Sequence, residues 1–204
     1  MPTRRLERSL WSQGFTRVVG VDEAGRGPLA GPVTVAAVLL PADCALPGVR
    51  DSKLVAEVQR REVARQIRQR ALAIGVGWAG SPEIDGLGLT AATRLAGVRA
   101  LAQLGEYEVV VLDGKHNYLG AGYHVHTCVK ADQSCLAVAA ASIIAKVARD
   151  AYMELVDRRY PQYRFAAHKG YGTAAHLQAL RQYGPTPYHR RSYAPVRQAT
   201  DVHG

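Results

Sequence analysis

Four consecutive apolar residues, Val109, Val110, Val111 and Leu112, run directly into Asp113 and Gly114. Three are β-branched, so residues 108–114 read as a strand. With no polar side chain on either face, that strand suits the middle of a sheet covered on both sides. A chain built around such a strand needs helices above and below it, and this confines the fold to a layered α/β class.

The rest of the chain supplies those layers. Residues 17–22 (RVVGVD), 33–40 (VTVAAVLL) and 71–80 (ALAIGVGWAG) read as further strands, and 123–132 alternates like another. Val55, Val58, Val63 and Ile67 recur at helical spacing and predict a surface helix between the second and third strands. Ser81 suits the cap of a short turn, and a helix is predicted from about Thr90 to Leu104, stopped by Gly105. The longest helix candidate, 134–160, opens on Ala, Ser and Ile, small enough to lie close to a sheet. A short helix over TAAHLQALRQYG ends at Gly184. This order predicts a three-layer α/β fold with a mixed central sheet.

Two of the strands end in acid. Residues 17–22 finish at Asp22, followed at once by Glu23 and then by Gly25, Arg26 and Gly27; the strand over 108–114 finishes at Asp113. If the two lie side by side and parallel, their acidic ends converge where open α/β sheets favour ligand sites. Neighbours on a regular strand point to opposite faces, so Asp22 and Glu23 serve one site only if the strand ends or distorts there, a freedom Gly25 and Gly27 supply. Asp132, in KADQS, precedes the long helix; as a plain N-cap, Asp132 or Ser134 would start that helix. Four crowded carboxylates repel one another. Divalent Mg²⁺ or Mn²⁺ resolves this with oxygen ligands, and two ions about 4 Å apart activate water and stabilise a leaving oxygen.

The composition frames that site. Lys and Arg number 26 against 17 Asp and Glu, a net charge of +9 that favours a polyanionic partner such as nucleic acid or an anionic membrane surface. An acidic pocket in a basic protein then holds metals while the surface holds phosphates. Cys44, Cys128 and Cys135, with no CxxC pair, suit small buried residues in a reducing compartment. No signal-peptide core and no run of roughly 18 to 20 apolar residues is present, so a soluble, cytoplasmic protein is expected. From Arg158 to Thr200 there is no acidic residue, while eight Lys or Arg and seven aromatic residues fall there. This contrast divides the chain into 1–157 and a basic, aromatic-rich helical extension, 158–204. Within it, Tyr171 lies in HKGYG between glycines and suits stacking on a nucleotide, whereas Tyr160, Tyr163, Tyr183 and Tyr188 suit packing. His124 and His126 suit a solvent-facing strand edge.

Six blocks in order, VDEAGRGPLAGPV, DSK at 51–53, LDG at 112–114, AAASIIAKVARD at 139–150, HKGYGT at 168–173 and HRRSYAPV at 189–196, make the chain similar to ribonuclease HII over residues 18 to 197. The resemblance implies a ribonuclease H-like catalytic domain over 1–157 with the extension packed on it. It implies a monomeric, metal-dependent endonuclease that cuts the RNA strand of RNA–DNA hybrids. It also implies incision 5′ of a single ribonucleotide in duplex DNA, leaving 3′-hydroxyl and 5′-phosphate ends. By position, Asp22, Glu23, Asp113 and Asp132 match the metal-binding acids. Gly25, Arg26 and Gly27 match the turn that reads the ribose 2′-hydroxyl, Tyr171 the stacking tyrosine that senses the deoxyribose beyond the junction, and Lys53 a phosphate-contacting lysine. KADQS stands where KGDS is usual, changing the neighbours of Asp132 to Ala131 and Gln133.

Other readings stay open on the residues alone. The sister ribonuclease HIII prefers continuous hybrids but usually carries an extra N-terminal domain, and only about 17 residues precede the first strand here. A metal-free nuclease would use histidine acid–base pairs, for which the chain has seven histidines. A nucleic-acid binder without catalysis needs only the basic extension and its aromatics, and gains nothing from four carboxylates beside bound phosphate.

Overall fold

The structure, a computed structural model, describes residues 2–46, 48–49 and 56–203. Lys53 lies outside the described residues. Five strands, β1 (Val18–Ala24), β2 (Val33–Leu39), β3 (Ala73–Ala79), β4 (Val109–Asp113) and β5 (Val125–Cys128), form one sheet in the order β3-β2-β1-β4-β5. The pairs β1–β2 and β2–β3 are antiparallel, and β1–β4 and β4–β5 are parallel, so the sheet is mixed as predicted. β5 is an edge strand, with His126 exposed on it and His124 exposed just before it, as expected of them.

The helices are α1 (Arg5–Ser12), α2 (Glu57–Arg70), α3 (Ser81–Leu87), α4 (Leu89–Leu101), α5 (Ala131–Ser134), α6 (Leu136–Arg159), α7 (Phe165–His168), α8 (Ala174–Tyr183) and α9 (Ala194–His203). The all-apolar strands divide their side chains between two cores. Val18, Ala36, Val38, Val109 and Val111 pack with α6, while Val19, Val21, Val35, Val110 and Leu112 pack with α4. Each layer therefore buries one register of the period-2 pattern, which is why β4 tolerates no polar residue before Asp113. Close approach explains the small residues. A Cβ on Gly20 would stand 2.2 Å from the Ala137 backbone, and one on Gly77 1.9 Å from the Ala96 carbonyl oxygen. Side chains larger than hydrogen there would push helix from sheet.

Neither Asp132 nor Ser134 caps α6. The helix begins at Leu136, and its first N–H groups are taken by Glu7 of α1: Leu136 N–H donates to Oε2 at 2.9 Å and Ala137 N–H to Oε1 at 3.1 Å. A buried carboxylate at the positive end of a long helix satisfies donors that have no intrahelical partner. Ser81 likewise does not cap a turn: α3 starts there after Gly80, and the Ser81 hydroxyl donates to the Tyr188 carbonyl.

The extension packs as α7, α8 and α9 against the end of α6 and the β1–β2 connection. One cluster joins Ala30, Met153, Val156, Tyr163, Phe165 and Ala179, and a second joins Leu29, Leu180, Val196 and Ala199. Tyr160, Tyr163 and Tyr188 pack there, and Tyr183 meets the Tyr163 ring edge-on while half exposed. Thr173 caps α8 by accepting from His176 N–H, and Gly184 ends it at φ 70°. No described helix is long and apolar enough to cross a membrane.

Candidate metal and substrate cleft

The parallel pairing of β1 and β4 runs from Val18 with Val109 to Val21 with Leu112 and stops there. The two chains then part, and a cleft of ≈ 480 Å³ opens at the parting. β1 does not end or distort at its acids, contrary to the expectation from their adjacency. Asp22, Glu23 and Ala24 stay paired with Ala36, Val35 and Thr34 of β2. The side of β1 left by β4 is an open edge instead, so side chains from both faces of the strand line one cleft. Ser142 of α6 hydrogen-bonds Asp22, while Glu23 lies beside the buried hydroxyl of Tyr118.

Asp113 ends β4, and its Oδ1 accepts the Ala131 N–H at 2.8 Å. That bond ties the strand to α5 and brings the next residue, Asp132, to the cleft. All four predicted acids line it, together with Gly25, Arg26, Gly27 and Tyr171. Burial first, then the charges of Glu23 and Asp113, hold the Asp22 carboxyl well above the usual carboxylate range; bonds from Glu23 N–H and Ser142 oppose this. Negative charge is thus costly where the sequence concentrates it. An oxygen-only donor set of this kind fits a hard divalent cation. Among the described residues no three acids, thiols or imidazoles are gathered tightly around one point. Asp22 is engaged by the N–H of its own strand neighbour Glu23, and Asp113 by that of Ala131 on α5.

The glycines of the turn differ in cause. Gly25 has φ 93°, and a Cβ there would stand 2.0 Å from Arg149 Nε, so the fold itself demands glycine. A Cβ on Gly27 would meet only the Tyr171 ring, at 3.8 Å, so the fold does not require its smallness. Arg26 Nη1 lies 3.7 Å from Glu23 Oε1.

Two buried arginines hold the β1–β2 connection that carries this turn, and the sequence reading missed both. Arg149 donates to the carbonyls of Pro32, Lys169 and Ala30 at 3.0, 2.9 and 3.1 Å. Arg190 donates to the carbonyls of Gly25, Arg26 and Gly31 and to the Tyr193 hydroxyl. Burial, then the charge of Arg190, lowers Arg149 to about 10, which leaves it charged at neutral pH. Arg190, and Lys169 with its 2.8 Å bond to Glu154, are spent inside the fold. The cations of the extension are therefore not all a phosphate-facing surface. Ser142, Lys146 and Arg149 all line the cleft from α6. Their spacing of four and three residues within the otherwise apolar first part of α6, residues 136–149, was the available signal.

No histidine lines the cleft among the described residues. His168, His176 and His189 instead gather behind Tyr171 with Tyr163 and Phe165. Burial is the main cause that lowers His176 to about 4 and His189 to about 3, and it lowers His168 as well, against the pull of Asp157 and with the push of Arg164. In the unfolded chain these imidazoles titrate near 6.5. Below that pH the unfolded chain binds protons that the folded chain refuses, so stability is fully present above about pH 6.5 and declines as pH falls toward 4. Urea unfolding should show a loss of a few kcal/mol between pH 7 and pH 4.5. A flat profile across that range would mean that the imidazoles are not held neutral.

The family model described as Ribonuclease HII matches residues 19–196. A ribonuclease HII of Synechococcus sp. (strain JA-3-3Ab) is 50% identical over 208 residues, covering 100% of this chain and 94% of the relative. That of Geobacillus thermodenitrificans is 48% identical over 199 residues, covering 97% and 76%. Among solved structures, ribonuclease H2 from Pyrococcus horikoshii OT3 superposes with a TM-score of 0.80 at 26% identity, covering 91% of this chain and 98% of the other.

Proposed function

The chain belongs to the ribonuclease HII family, a nuclease acting on RNA–DNA hybrids, and on that premise we propose that it also incises duplex DNA on the 5′ side of a single embedded ribonucleotide, leaving 3′-hydroxyl and 5′-phosphate ends. One observation carries this reading. Acids far apart in sequence, Asp22 and Glu23 on β1, Asp113 on β4 and Asp132 on α5, line one cleft with the Gly25–Arg26–Gly27 turn and Tyr171.

Asp22, Glu23, Asp113 and Asp132 would hold two divalent ions, Mg²⁺ or Mn²⁺. When bound, such a pair supplies a nucleophilic water and charge stabilisation at the leaving oxygen. The chain's own residues do the rest. Gly27, uncrowded by the fold, lets a sugar approach the backbone, so the turn reads the 2′-hydroxyl there. Arg26 leaves Glu23 to pair with a phosphate. Tyr171, its ring beside Gly27, stacks on the nucleotide across the junction and senses the deoxyribose beyond it. Lys146, with its 2.7 Å bond to Asp150 at the cleft wall, and Lys53 hold the flanking phosphates. We read residues 1–157 as the catalytic domain and 158–204 as the extension that presents Tyr171 to it, in a protein that works as a monomer.

An end-labelled duplex carrying one ribonucleotide tests this. In Mg²⁺ or Mn²⁺ a single cut 5′ of the ribonucleotide is expected, with a 3′-hydroxyl end, and EDTA should abolish it. A cut that survives EDTA and leaves a cyclic phosphate would overturn the role of the four acids. Cleavage confined to long hybrids would overturn the junction specificity.

A further inference from the structure

The histidines behind Tyr171 have protonation states set by their neighbours. Thr186 N–H, which only donates, meets His189 Nδ1 at 2.9 Å, so that nitrogen is bare and the proton of a neutral His189 sits on Nε2. His189 Nε2–H then meets His176 Nε2 at 3.0 Å, which must accept. The proton of His176 is left on Nδ1, 2.9 Å from the Tyr171 carbonyl oxygen, which only accepts. Starting from the carbonyl end gives the same two tautomers. An added proton on either ring would set two N–H groups against each other, and both rings are closed to water, at 0% and 1% exposure. His168 stacks flat on His176, centroids 4.4 Å apart, and blocks its face.

This chain of bonds ends on the backbone of the residue that meets substrate. Tyr171 N–H donates to the His168 carbonyl at 2.9 Å, and the Tyr171 carbonyl accepts from Thr173 N–H at 2.8 Å as well as from His176. Its ring, by contrast, is 46% exposed in the cleft. A side chain with few rotamers takes its direction from its backbone, so fixing the peptide groups on either side aims the ring.

We propose that His176, oriented by His189, is a positioning residue for substrate selection: it fixes the Tyr171 carbonyl and thereby the pose of the ring at the ribonucleotide junction. The inference rests on the stacking role given to Tyr171 above.

Cleavage rates of the full chain, His176→Phe, Tyr171→Ala and the double variant separate this from a structural role. His176→Phe should lose about tenfold at a single ribonucleotide and less than about threefold on a continuous hybrid. Added to Tyr171→Ala it should cost less than about twofold more. His176→Asn, whose amide can donate where Nδ1 does, should recover most of the rate. Equal losses on both substrates, or a full multiplicative loss in the Tyr171→Ala background, would overturn the proposal. Should His176→Phe not fold, nitrogen NMR of the unaltered protein at pH 7 decides. A proton on Nδ1 of His176 and on Nε2 of His189 supports the relay, and any other tautomer or an imidazolium overturns it. If the unaltered protein does not cut at a single ribonucleotide, the function reading fails, whereas the tautomer measurement still stands on its own.

Discussion

Replacing Asp113 by asparagine is expected to reduce cleavage by roughly a thousandfold or more, about 4 kcal/mol of barrier, in a protein that remains folded. The fold should survive because asparagine keeps the oxygen that accepts Ala131 N–H, so β4 stays tied to α5. It also removes one of the charges that raise the Asp22 carboxyl. Stability should therefore be unchanged or slightly higher, while the cleft loses an anionic oxygen at the end of β4. Steady-state cleavage and urea unfolding measured on one preparation check both halves. Retained turnover would remove Asp113 from the site. A pure binding protein would show the reverse pattern, with equal or tighter binding to hybrid once a negative charge has gone from beside the phosphates.

The second large effect is expected at Arg190, in the heart of the turn. Its guanidinium is buried and donates to three carbonyls of residues 25–31. Arg190→Met fills similar space and leaves the Gly25 and Gly31 oxygens without the guanidinium, while the Arg26 oxygen keeps only the Tyr193 hydroxyl as donor. An orphaned buried polar group costs about 1–3 kcal/mol, so a loss of about 3–5 kcal/mol is expected after partial relaxation. Arg190→Lys should recover only part, because one ammonium cannot fork across carbonyls that a planar guanidinium spans. Cleavage should fall alongside, since two of those carbonyls, of Gly25 and Arg26, belong to the turn proposed to read the ribose. A stability loss below about 1 kcal/mol in urea would show that water replaces the guanidinium and that the turn stands without it.

Much of the architecture follows from local pattern. Val109–Leu112 could only be a strand covered on both faces, and it lies between β1 and β5 with α4 and α6 on either side. The parallel neighbourhood of β1 and β4, which the sequence reading held only as the condition for their acidic ends to converge, is what places Asp22 and Asp113 together. The long Ala-rich helix and the Gly184 stop were also legible, because periodicity and caps are properties of a few adjacent residues. α1 and α9 were not, their apolar spacing being too short to stand out.

What escaped the sequence are the bonds that span it. Glu7 caps a helix that begins 129 residues later. Arg190 reaches back to Gly25. The histidine chain joins Thr186 to Tyr171 through two rings. None leaves a local trace, since a buried charge reads in sequence like any surface charge until its partners are known. The chain's residues by themselves determined which strands exist, how they alternate and that acids stand at their ends. Only the tertiary structure decided that β1 keeps its pairing past Asp22 while β4 does not. That difference opens the strand edge and turns two carboxylates of opposite faces into walls of one cleft. Pattern is set by neighbours in sequence, whereas a cleft is set by where two strands stop touching.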